Sequence, residues 1–259
     1  MYMQTYKSYN MEENKPMFPT EEVTLPSKGL IYPSNNPLSK GILEMKYMTA
    51  KEEDILTNGN YIKNGTVIDR LLKSLIVTEG VDYKSLLLGD KNAIMVAARI
   101  LAYGAGYDIT YNGEKITIDL SKVDNKPINE KLYKRGENEF SFKLPSGNEI
   151  TFKLLTEGDE NSIEREIEGL KKLNKNSSTD VTTRLKRMIT SINGNREVAE
   201  IRKYVDNYFL ATDARALRKE YDRVMPDVNL VFEYTNDDGG KEDVDIPIGL
   251  GFFWPDNRL

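Results

Sequence analysis

The spacing of apolar residues changes period three times along this chain, at Tyr107, near Asp159 and at Val228. A helix buries a stripe that repeats every three to four residues, whereas a strand buries every second residue. Before Tyr107, Val67, Ile68, Leu71, Leu72, Leu75 and Ile76 form one helical stripe, and Ile94 to Leu101 is so apolar that its helix belongs at the centre of a core. Tyr107–Tyr111 and Ile116–Leu120 alternate on either side of Asn112–Gly113, a strong two-residue hairpin signal. A second alternating pair runs through Phe140–Leu144 and Ile150–Leu154. Helical spacing returns with Ile163, Ile167, Leu170 and Leu173, continues from Val181 to Ile192, and recurs in Val198–Phe209 and Ala214–Val224. Alternation resumes after Pro226 and returns through Val244, Ile246 and Ile248.

The expected fold class is α+β: an N-terminal helical core, a small antiparallel β module without metal, and an inserted helical segment. Residues 1–22 form a polar lead, expected to be flexible, and 23–106 an extended arm followed by the helical core. Residues 107–158 begin the β module, 159–225 are the helical insertion, and 226–259 supply a hairpin completing the module plus an aromatic tail. Thr49 with Glu52 three residues on reads as a capping box, and Thr66 and Asp90 read as caps of the next two helices.

Cysteine and histidine are both absent. Disulfides, thiol nucleophiles, histidine triads and Cys- or His-ligated metals are therefore excluded. Catalysis would have to rest on carboxylates, Lys or Tyr with shifted pKa values, and no convergent acid motif suggests it. The chain reads as no enzyme, with no catalytic residue, metal or cofactor. No apolar run is long enough to cross a bilayer, and Met1–Asn10 has neither the basic opening nor the apolar centre of a secretory signal. A net charge of -5 gives no general reason to expect a nucleic-acid partner.

A few positions invite closer reading. Arg184, Lys186 and Arg187, with Arg196, Arg202 and Lys203 nearby, could meet an acidic partner or nucleic acid, but Asp180, Glu197 and Glu200 among them suit a mixed-charge helical surface. Asp237, Asp238, Glu242, Asp243 and Asp245 could crowd a hard cation, although their spacing is not that of a calcium loop and suits a solvated tip. Arg99 in the apolar helix needs a carboxylate or backbone carbonyls; Asp69 and Asp90 are conceivable carboxylates. Phe252-Phe253-Trp254 is the most concentrated aromatic stretch, and either folds back on its own core or anchors in a neighbouring subunit.

Leu25-Pro26-Ser27-Lys28-Gly29 with Ile31-Tyr32-Pro33, the run Glu44–Leu56, and then Asp90, Arg99 and Tyr103-Gly104 together resemble the baseplate hub subunit family of T4-like contractile-tailed phages. Pro247 and Phe253-Trp254-Pro255 extend the likeness. Relatives in that family carry paired cysteines after the segment matching Tyr107–Tyr111, suggesting a zinc-ribbon-like module, and this chain has none. The resemblance implies a structural subunit of the baseplate hub, working through contacts with other hub or tail proteins, or with copies of itself. Its location would be the virion tail baseplate, and the host cytoplasm during assembly. A transient assembly chaperone absent from the mature virion is the alternative. Leu25, Pro26, Tyr32, Phe252, Phe253 and Trp254 are the expected partner-binding residues; Thr49, Glu52, Asp90 and Arg99 are the expected structural ones.

Overall fold

In the computed structural model, which describes residues 19–173, 179–236 and 239–253, the chain enters through β1 (Thr20–Thr24), paired antiparallel with β2 (Ile42–Lys46). Val23, Leu43 and Met45 point inward from this pair. β1 thus begins inside the segment expected to be a flexible lead, whose remaining residues, 1–18, lie outside the described residues. The prolines between the strands end regular hydrogen bonding and leave tight turns, as expected.

Helices α1 (Ala50–Leu56), α2 (Gly59–Lys63), α3 (Val67–Leu75) and α4 (Leu88–Tyr103) follow. Asn58 caps α2 by accepting from the Asn60 and Tyr61 amides; Thr66 makes no side-chain cap bond to α3. Asp90 also differs from the expected cap. α4 starts two residues before it, because the Leu87 amide donates to the Tyr32 hydroxyl and the Leu88 amide to the Leu155 carbonyl. The helix is buried around much of its circumference, through Ala93, Ile94, Met95, Val96 and Ala98.

The β structure is divided more finely than the alternation implies. β3 (Gly106–Tyr111) and β4 (Glu114–Asp119) form one hairpin, with Asn112 and Gly113 both at positive φ. β5 (Phe140–Lys143), β6 (Glu149–Phe152) and β7 (Ile189–Ile192) form a three-stranded sheet. β8 (Val231–Thr235) and β9 (Lys241–Asp245) make a separate ribbon. The expected single β module is therefore corrected to separate sheets, with the 226–248 hairpin packed against the first hairpin rather than hydrogen-bonded into its sheet.

Between those strands lie α5 (Glu157–Leu173), α6 (Asp180–Met188), α7 (Val198–Asn207) and α8 (Ala211–Val224). The segment is not purely helical: β7 returns to β6 and ties the insertion to the sheet. Ile189 and Ile192 are three apart and fit a helical stripe, but the β-branched run Ile189-Thr190 and the partner edge of β6 favour a strand. One buried apolar cluster extends from Val23 through every helical group to Phe253.

Candidate interaction site

The arm that carries the LPSKGLIYP text is fastened from inside. Asp90 is fully buried in the first turn of α4 and accepts from the Ser27 amide at 2.9 Å, the Ser27 hydroxyl at 2.7 Å and the Tyr32 hydroxyl at 2.6 Å. Burial pushes the Asp90 carboxyl up to about 6, against the pull of the Tyr32 and Ser27 donors, and nearby Asp227 adds to the rise. Gly29 is needed where the arm doubles back: at φ +73, a Cβ there would lie 2.4 Å from the Ser39 carbonyl oxygen.

Leu25, Pro26 and Tyr32 are consequently interior residues. Their expected role as partner contacts is corrected, because the arm folds onto α4 and leaves them no free surface. Phe252 and Phe253 need the same correction. Both are buried in a 3-10 turn spanning Leu250–Phe253, where Phe252 meets the Tyr107 ring edge-on at 4.8 Å and Phe253 at 5.6 Å. A helical turn, unlike an extended strand, lets adjacent rings enter one core. Trp254 lies outside the described residues.

Glu52 is buried and accepts from the Thr49 amide and hydroxyl, and from the Lys46 ammonium at 2.7 Å. Burial alone would raise its carboxyl, but the Lys46 and Thr49 donors hold it below the usual carboxylate range. Arg99 pairs with neither Asp69 nor Asp90. Its guanidinium donates to the Gly104 and Gly106 carbonyls, each at 3.1 Å, and lies over the Tyr103 and Tyr107 rings. It clamps the exit of α4 to the start of β3. Asp69 instead joins Glu157 around Lys91, whose ammonium lies 2.9 and 2.7 Å from their carboxylates and links α3, α4 and α5.

Most of the basic residues singled out above are matched by acids: Arg184 with Glu160, Lys186 with Asp206, Arg187 with Asp159, Arg196 with Glu139 and Arg202 with Glu166. That is the mixed-charge surface. Among the described residues, no group of three or more His, Asp or Glu side chains is placed to hold a metal ion, and no helix is long and apolar enough to cross a membrane. Asp237 and Asp238 of the acidic tip lie outside the described residues.

Two kinds of open feature remain. Leu173, Val198, Tyr208 and Leu210 are exposed apolar side chains on the helical segment. Between the two hairpins runs a groove of about 510 Å³, bordered by Ile116–Asp119 of β4 and Val231–Thr235 of β8. The alternating pattern revealed both hairpins; nothing local in it revealed that they would face one another. Gly89 was also missed, because its small size is required by a contact far away in sequence: a Cβ would lie 1.9 Å from the Pro226 carbonyl oxygen.

Buried polar groups fasten the segments together, while strand edges and apolar side chains lie open at the periphery, an arrangement that suits a structural or assembly role. The chain belongs to the family described as T4 bacteriophage base plate protein, whose model matches residues 19–254. No match was found among curated proteins or among solved structures.

Proposed function

We propose that the protein is a structural subunit of the central hub of a contractile-tail baseplate, acting through contacts with other hub or tail proteins. The observation that carries this reading is the family match from residue 19 to 254, which takes in the arm, both hairpins and the helical segment alike. The arm text on which the hub resemblance rests supports it further, since Ser27, Gly29, Tyr32 and Asp90 have mutually dependent places in this fold. The exposed Leu173, Val198, Tyr208 and Leu210 give the helical segment apolar side chains that a neighbour could cover.

The test is to delete the gene, restore it with a tagged copy, and measure the protein by quantitative mass spectrometry in purified baseplate precursors and in mature particles. A permanent hub subunit is expected in both, at one fixed ratio to the other hub proteins. Presence in precursors alone would instead identify an assembly chaperone. Absence from both, with normal tails formed without the gene, ends the proposal.

A further inference from the structure

The groove between the hairpins has the geometry of a slot for one extended chain. Residues of opposite parity on a strand point to opposite faces. A single groove bordered by four consecutive residues of β4 and five of β8 must therefore follow the strand edges as well as a face. β4 and β8 each belong to a two-stranded sheet, so neither has a second strand partner among the described residues.

The registers identify the backbone groups on those edges. The Asn112–Gly113 turn makes Tyr111 and Glu114 a hydrogen-bonded pair, so Thr117 and Asp119 of β4 direct their amides and carbonyls away from β3. In the ribbon, the Asn236 amide donates to Gly240 and the Ile246 amide to Leu230. Val231, Glu233 and Thr235 therefore direct theirs away from β9. At about 3.4 Å per residue, the β8 side of the groove spans about 17 Å, the length of five extended residues.

Charge selects the occupant. Among the described residues, the two hairpins, 106–123 and 231–245, carry seven carboxylates and three lysines. Asp119, Lys122 and Glu233 border the groove; Lys122 and Lys241 pair with the two acids at an exposed surface, where such pairs are weak and exchangeable. A second copy would bring the same acidic ribbon against itself, which like-charge repulsion disfavours.

We propose that the edges of β4 and β8 form a docking site for an extended, lysine- or arginine-bearing strand from another protein, added by backbone pairing with its apolar side chains against the half-buried Ile116, Val123 and Phe232. This names a partner class for the hub role proposed above and rests on that reading.

The probe is a synthetic octapeptide alternating lysine with valine and threonine, compared with the same peptide carrying glutamate for lysine. Both are titrated against the isolated full chain, with hydrogen exchange followed residue by residue. The lysine peptide is expected to bind roughly tenfold or more tightly than its counterpart, and to slow exchange at Thr117, Asp119, Val231 and Glu233. Asp119→Lys with Glu233→Lys should reverse the preference. Thr117→Pro should weaken binding while the hairpin survives, because proline there removes an outward amide and the exposed hydroxyl bond to Asp108 but no backbone bond between β3 and β4. Equal binding of the two peptides, protection confined to other residues, no binding, or self-association relieved by Thr117→Pro would each overturn the proposal. Peptide failure with the protein present in purified baseplates ends the docking site alone. Absence from precursors and particles, with normal tails formed without the gene, ends the hub reading whatever the peptide does.

Discussion

Ser27 and Tyr32 reach Asp90 across 63 and 58 positions of sequence, so one carboxylate decides whether the arm stays on α4. Its carboxyl, pushed up to about 6 by burial, would titrate near 3.9 in the unfolded chain. Between those values the folded state holds a proton that the unfolded state has lost. The stability contributed by this group therefore falls as pH rises from about 4 to about 6, then levels, a change on the order of 3 kcal/mol. Glu139, held down to about 2 by Arg196, acts with the opposite sign: its contribution is present above its unfolded value and lost as pH falls toward 2. Asp90→Asn removes the first effect and keeps the second. Urea unfolding at pH 4.5 and pH 7 should show wild type losing more stability on going to pH 7 than the variant; parallel profiles would refute the assignment. Asp90→Ala, which orphans three donors, should cost roughly 3 kcal/mol or more at either pH. Arg99→Lys should cost about 1–2 kcal/mol by the same measurement, because an ammonium lacks the planar fork that serves the Gly104 and Gly106 carbonyls together.

Contacts between elements depend on a few positions where the backbone itself is close. Gly89 in α4 and Gly169 in α5 are both helical glycines, and intrinsic propensity alone would favour alanine at each by about 0.5–1 kcal/mol. Their surroundings separate them. A Cβ at Gly169 meets nothing within 4 Å, whereas at Gly89 it would penetrate the Pro226 carbonyl at 1.9 Å. Gly169→Ala should therefore raise the unfolding free energy by about 0.5–1 kcal/mol, and Gly89→Ala should lower it by about 1–3 kcal/mol. Similar values for the two would mean that α4 does not depend on the Pro226 contact. The same distinction explains what was legible in the sequence. Helix α3, the central place of α4 and the β3–β4 hairpin were readable because periodicity and the Asn112–Gly113 turn are local signals. The pairing of β7 with β6 was not, since Ile189 and Ile192 satisfy helical and extended periods alike and the deciding partner lies some forty residues upstream. Nor could spacing tell that Arg99 would take carbonyls from the turn just after its own helix instead of a carboxylate. Relatives in the resembled family carry paired cysteines after this segment, which this chain lacks; here Tyr111 packs against Phe232 and Tyr234, at 6.4 and 5.0 Å, to join the two hairpins through rings.

Across the whole molecule, the buried cluster joins the arm, the helices, the three-stranded sheet and the C-terminal turn without a break, and this changes what the aromatic tail does. Phe253 has no exposed surface, and Phe252 contacts Tyr107 at the entrance to the first hairpin, directly after the Arg99 clamp. Removing the Phe253 ring leaves a cavity beside residues that also pack on α4, so the loss should spread beyond the last elements. Phe253→Ala is expected to destabilise the isolated chain by about 3–5 kcal/mol and to lower its thermal midpoint by roughly 10 °C. Thermal unfolding followed by circular dichroism gives the midpoint, and hydrogen exchange reports the α4 amides Ile94 to Ala98. If the core is shared, protection of those amides should fall together with the midpoint. A tail that instead docked on a neighbour would leave both unchanged in the isolated chain and impair only incorporation into baseplates, and that result would return Phe253 to the surface.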